Sequence, residues 1–182
     1  MSSQGEQNLV EGNPQYAAQF TQGDLALPPS QKYAILTCMD ARIDPTSAFA
    51  IPLGAAHVIR NAGASARDAF RSLVISQQLL GTTEVLIVKH TGCGMLTFDD
   101  ATARDLVRKN KGDKAARQVE NLDFLTFPDL EKAVKEDVEW LREQAVEEGV
   151  RVTGWVYEVE TGKARQVVAD VGQPAGLWKP NH

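Results

Sequence analysis

Two short runs in this chain carry residue types able to do chemistry: Thr37-Cys38-Met39-Asp40-Ala41-Arg42 and His90-Thr91-Gly92-Cys93-Gly94. Between them they hold both cysteines of the 182 residues and one of the three histidines. Two thiolates, an imidazole and a carboxylate form a tetrahedral zinc ligand set, and such a site with one open position can activate water. On an extended segment, positions i, i+2 and i+4 project to one side, so Cys38, Asp40 and Arg42 share a face if the chain stays extended past its strand. His90 and Cys93, three apart in a turn with Gly92 and Gly94, can close on one ion, the glycines supplying unusual dihedral angles. Either cysteine alone reads better as an inert buried thiol or half of a disulfide. Joined with His90 and the Cys-x-Asp-x-Arg alternation, the zinc reading prevails. A redox dithiol lacks the expected Cys-x-x-Cys.

The elements that must position these runs alternate between strand and helix. Tyr33 to Thr37 is an apolar run ending at Cys38, as expected of a strand covered on both faces. His57-Val58-Ile59-Arg60 is a second short strand. Ser65 can cap a helix whose Phe70, Leu73, Val74 and Leu80 fall at helical spacing, stopped by Gly81. Glu84 to Lys89 is a third buried strand that delivers His90 at its end. Thr97 or Asp99 opens a helix to about Lys111, and residues 110–127 read as a loop or as a short helix and turn. Pro128 suits the first turn of a long helix through Ala145 to Glu148. Val150 to Val159 is a fourth strand, Thr161-Gly162 turns, and Ala164 to Val168 returns as an antiparallel edge. Ahead of these, residues 1–12 read as polar and mobile. Tyr16, Ala17 and Phe20 suggest a short amphipathic helix closed by Gly23, and Leu25 to Pro29 an extended arm.

The expected fold is therefore α/β: a mostly parallel sheet of four strands plus an antiparallel edge strand, with helices on both faces. Ligands in such sheets bind beyond the carboxyl ends of the strands, where Cys38 and His90 both fall. The length fits a single domain over 1–182, with an N-terminal helical arm (about 12–30) and a flexible C-terminal tail (about 173–182). Hydrophobic and charged contents of 43% and 24% are ordinary for a soluble protein. A net charge of -5 argues against a nucleic-acid binder working by phosphate neutralisation. Arg104, Arg108, Lys109 and Lys111 are interleaved with Asp105 and Asp113 and read as a solvated helix end. No apolar run approaches the roughly 20 residues of a membrane span, and residues 1–7 lack the basic and apolar regions of a signal peptide. Few cysteines and no export signal point to a reducing cytoplasm, where cysteine more often serves metal binding or catalysis.

Cys-x-Asp-x-Arg followed some fifty residues later by His-x-x-Cys resembles the β-class carbonic anhydrases. Val58-Ile59-Arg60-Asn61-Ala62-Gly63 is similar to that family's strand-to-loop segment, and His90-Thr91-Gly92-Cys93-Gly94 to its second metal motif. The likeness is strong from Tyr33 to Leu96 and weaker to Val159, closest to a compact subgroup. The resemblance implies that Cys38, His90 and Cys93 hold zinc, that Asp40 is the fourth ligand or a catalytic carboxylate, and that Arg42 is its partner. It implies zinc-dependent reversible hydration of carbon dioxide to bicarbonate and a proton, by attack of zinc-bound hydroxide. Two thiolates neutralise the formal charge of the ion, so such a site acidifies water less than a three-histidine one. If Arg42 pairs with Asp40 and draws it off the metal, the freed position takes water; if the pair breaks, Asp40 can ligate and shut the site.

The same scaffold hosts hydrolases of carbonyl sulfide and carbon disulfide, the leading alternative. A non-catalytic, zinc-stabilised binding or sensing protein would keep the Cys38-Asp40-His90-Cys93 site closed, which the intact Arg42 argues against. Gly92-x-Gly94 lacks the further glycine and the Lys-Ser/Thr pair of a phosphate loop. His57 could relay protons or be an ordinary hydrogen-bonded histidine; His182 lies in the tail. Finally, the resemblance implies a homodimer or higher homo-oligomer whose N-terminal helices reach across. The segment from Tyr16 to Phe20, followed by Pro28-Pro29, suits such an exchange.

Overall fold

A computed structural model describes residues 2–144 and 148–170. Ala145 of the expected long helix and the tail from Gln173 to His182 lie outside the described residues. Along the chain run α1 (Gln4–Gln19), β1 (Tyr33–Cys38), α2 (Pro45–Ala48), β2 (Ala56–Asn61), α3 (Ala66–Gln78), β3 (Glu84–His90), α4 (Asp100–Lys111), α5 (Asp113–Gln118), α6 (Leu130–Arg142), β4 (Arg151–Glu158) and β5 (Lys163–Val168).

The strands form one sheet in the order β2-β1-β3-β4-β5. The first four are parallel to their neighbours and β5 returns antiparallel, as expected. Ala34 to Cys38 are all buried, which explains why β1 reads as a continuous apolar run rather than an alternating one. Ala34 and Leu36 of β1 pack with Val85 and Ile87 of β3 under Leu73 of α3 and Val138 and Leu141 of α6. Ile35 and Val88 alternate to the opposite face. There they join Ile43, Ile51, Met95 and Phe127 from the connecting segments. At Gly154 of β4 a Cβ would lie 2.5 Å from Val134 Cγ1 and 3.0 Å from Val138 Cγ2, so the missing side chain lets α6 sit directly on the strand.

Helix starts follow side-chain capping. The Ser65 hydroxyl accepts from the Asp68 amide as expected, and Asp99 rather than Thr97 caps α4. Two helices depart from the expected bounds. Asp129 caps α6 by accepting from the Lys132 amide, so Pro128 stands outside the helix, which ends at Arg142 instead of Glu148. α1 begins at Gln4, inside the stretch 1–12 that reads from its composition as polar and mobile. Ser3 and Glu6 form a reciprocal capping box that starts it, and none of its residues is buried. The short α2, capped by Asp44, has no counterpart in the sequence reading. Among the described residues no helix is long and apolar enough to cross a membrane.

Candidate metal centre

Cys38 is the last residue of β1 and His90 the last of β3, and the two strands run side by side from a level start, Tyr33 opposite Glu84. Their ends therefore reach the same sheet edge, and the turn after His90 brings in Cys93. One ligand atom from each of Cys38, His90 and Cys93 lies within 4.8 Å of the others, and all three residues are buried. The two sulfurs are 4.0 Å apart.

His90 Nδ1 lies 2.8 Å from the Thr91 carbonyl oxygen. A carbonyl only accepts, so Nδ1 carries the proton and the Nε2 lone pair is left free. Nε2 is fully buried and has no hydrogen-bond partner. A buried acceptor without a donor is costly, and a cation among these three ligands removes the cost. Two sulfurs and an imidazole suit a borderline-soft ion, so the residues fit such a metal. The two thiols lie within hydrogen-bond reach of each other. The Cys93 hydrogen bond holds the Cys38 thiol down to about 4 against its burial, and the same bond, with burial, pushes Cys93 up. The Gly63 amide also donates to Cys38 Sγ, at 3.4 Å.

Asp40 stands beside this cluster without joining it: its Oδ2 is 3.7 Å from His90 Nε2. The chain does not stay extended past Cys38. It turns, the Ile43 amide donating to the Asp40 carbonyl at 3.1 Å, so Arg42 reaches Asp40 through a tight turn and not by strand alternation. Hydrogen bonds from the Arg42 side chain and backbone hold the Asp40 carboxyl well below the usual carboxylate range. Gly92 has φ +59°, the left-handed angle expected of that turn. Gly94 is not among the residues with positive φ; it opens a turn of 3-10 helix, Gly94–Leu96.

Three residues to which the sequence reading assigns no role brace the site. Arg60 donates through Nε to the Cys38 carbonyl at 3.1 Å and through Nη2 to the Asp40 carbonyl at 2.7 Å. Gly63 donates to the sulfur, and Lys89 holds the Gly63 carbonyl at 2.7 Å. His57 is not brought to the site. It sits opposite Ala34 near the start of β2, four positions before Asn61, the residue level with Cys38. At about 3.3 Å per residue that is roughly 13 Å away. Its Nδ1 pairs with the Ser76 hydroxyl at 2.7 Å.

A family model described as carbonic anhydrase matches residues 33–164. β-Carbonic anhydrase 1 of Mycobacterium tuberculosis is 39% identical over 162 residues, covering 88% of this chain and 96% of that protein. This chain belongs to the β-carbonic anhydrase family. Among solved structures, the carbonic anhydrase from Glaciozyma antarctica superposes with a TM-score of 0.88 at 45% identity, covering 92% of this chain and all of that one. The family also reaches toward another chemistry: a carbon disulfide hydrolase from Acidianus is 35% identical over 164 residues, 77% of this chain and 79% of its own length.

Proposed function

We propose that this chain catalyses the reversible hydration of carbon dioxide to bicarbonate and a proton, with zinc held by Cys38, His90 and Cys93. The observation that carries the proposal is the buried, unpartnered His90 Nε2 facing two thiols, beside a carboxylate turned away by an arginine. Cys38, His90 and Cys93 would hold the zinc, and the chemistry it would supply there is an acidified water able to attack carbon dioxide. The protein's own groups prepare that chemistry. The Thr91 carbonyl fixes the His90 tautomer, and the Gly63 amide supports the Cys38 thiolate. Both thiols must be deprotonated to ligate, so metal binding releases protons and weakens at low pH. Arg42 keeps Asp40 off the ligand position. Ionised Asp40 only accepts hydrogen bonds, so it orients the nucleophilic water through that water's O–H.

The second reading is hydrolysis of carbonyl sulfide or carbon disulfide at the same site, favoured by the likeness to carbon disulfide hydrolases. We further read the chain as one cytoplasmic domain acting on small molecules, without nucleic-acid or membrane partners. α1 exposes Leu9, Val10 and Tyr16 and buries nothing, which supports assembly into a homodimer or higher homo-oligomer with α1 as the arm. The test is stopped-flow hydration of carbon dioxide from mildly acidic to mildly alkaline pH, with zinc content measured. Fast, zinc-dependent turnover that rises with pH is expected. Zinc-loaded protein that is inactive throughout overturns the proposal, and sulfide release from the two sulfur substrates then decides the second reading.

A further inference from the structure

Lys89 is 2% exposed in a strand where Val85, Ile87, Val88 and His90 are also buried. Taking an ammonium out of water is expensive unless its donors all find acceptors. Here they do. Nζ donates to the Gly63 carbonyl at 2.7 Å and to the Ala64 carbonyl at 3.1 Å, and it meets Asp137 Oδ2 of α6 at 2.7 Å. The Phe127 ring lies 4.8 Å from the same nitrogen.

The two carbonyls belong to consecutive residues with left-handed backbone, Gly63 at φ +72° and Ala64 at φ +53°. For alanine that conformation is uncommon and costs energy, so it persists only where its surroundings enforce it. At Gly63 itself a Cβ would lie 2.8 Å from Met95 Cγ, which closes the position to other residues. The amide of Gly63 is the group that donates to Cys38 Sγ. A continuous line of contacts thus runs from Asp137 through Lys89 and Gly63 to the Cys38 sulfur. An apolar residue at position 89 would fill the strand at lower cost, but would strip the ammonium donor from both carbonyls.

We propose that Lys89, fixed by Asp137, is a positioning residue of the metal centre: it locks the Gly63–Ala64 peptides so that the Gly63 N–H stays on the Cys38 sulfur. The N–H···S bond sets the orientation and donor strength of that thiolate toward the metal, so Lys89 tunes the centre without touching it. This inference rests on the zinc-site reading above.

The test uses the full chain loaded with Co2+, read by its thiolate-to-cobalt absorption bands, together with zinc affinity from competition with a chromophoric chelator. Lys89→Met is expected to shift the thiolate bands and to weaken zinc binding by about 10–100-fold. Asp137→Asn should move both in the same direction by less. Arg142→Met serves as a control for general loss of stability, because Arg142 ties α6 to the Val152 and Ala169 carbonyls, away from Gly63. It should lower the melting temperature and leave the bands in place. Unchanged bands and zinc affinity in Lys89→Met overturn the proposal. If that variant does not fold, unchanged bands and affinity in Asp137→Asn overturn it. Wild-type protein that shows no thiolate–cobalt bands overturns the metal-centre reading itself, a separate and recognisable failure.

Discussion

Arg42 holds Asp40 with three donors: its backbone N–H and Nε each meet Oδ1 at 2.9 Å, and Nη2 meets Oδ2 at 2.7 Å. The same Nη2 reaches the Gly92 carbonyl at 3.0 Å, so one guanidinium ties Asp40 to the turn that presents Cys93. The planar, forked donor set makes this arrangement specific to arginine.

Removing that fork frees a carboxylate oxygen that already lies 3.7 Å from His90 Nε2. Arg42→Ala is expected to keep its zinc and to lose hydration activity by at least about 10–100-fold, because Asp40 is released to ligate. Zinc analysis alongside stopped-flow rates checks this. Lost zinc, or full activity, would show that the pair does not govern the ligand position.

The pH behaviour of Asp40 follows from the same contacts. Its folded-state value is depressed, so the pair's contribution is present above the ordinary value of 3.8 and is lost only as pH falls through the lower, folded one. Carboxyl carbon NMR should find the Asp40 signal constant from neutral pH down to the ordinary value. In metal-free Arg42→Ala its midpoint should rise, since the two guanidinium hydrogen bonds that favour the ionised form are gone and only the backbone one remains.

Gly154 predicts a stability effect separable from the site. Its Cβ would meet Val134 Cγ1 at 2.5 Å in the contact between β4 and α6. Gly154→Ala should therefore destabilise by about 1–3 kcal/mol through overpacking, read by denaturant unfolding. Its metal content should be that of the wild type.

His57 gives the converse case. His57→Gln removes the bond to Ser76, whose hydroxyl keeps its 2.7 Å contact with Thr82. A cost of about 1 kcal/mol is expected, with hydration rates unchanged even in dilute buffer. A large rate loss rescued by added buffer would place His57 in proton transfer after all.

The legible parts of this chain are those whose signal is local. β1 and β3 announce themselves because both faces are covered, which makes their apolar runs continuous. Cys38, His90 and Cys93 announce themselves through residue type and spacing. α1 does not, because a helix with no buried residue needs no apolar stripe. Its one local sign is Ser3-Gln4-Gly5-Glu6, a capping-box pattern. Likewise Asp129, a better helix cap than Pro128, marks the true start of α6.

The braces of the site are illegible for a different reason. Arg60 meets Cys38 across 22 residues and Lys89 meets Gly63 across 26. These contacts exist only through the parallel register, which sets Thr37 beside Arg60 and beside Val88. No spacing rule encodes a register that depends on where crossover helices land. The same holds for the turn after Cys38, where one backbone hydrogen bond, Ile43 to Asp40, replaces the expected extended chain.

The place of β1 between β2 and β3 also dictates an order of events while the protein is being made. β1 is the first strand to be synthesised, yet both of its neighbours come later, and β3 is complete only at His90. Parallel strands cannot close by a local hairpin, so β1 must wait for two crossovers. At roughly 5–20 residues per second that wait is on the order of seconds. Throughout it, an apolar strand with at least one edge unpaired carries an unshielded Cys38. The nascent chain, more than the finished one, is where this thiol is open to oxidation and this strand to pairing with the wrong partner.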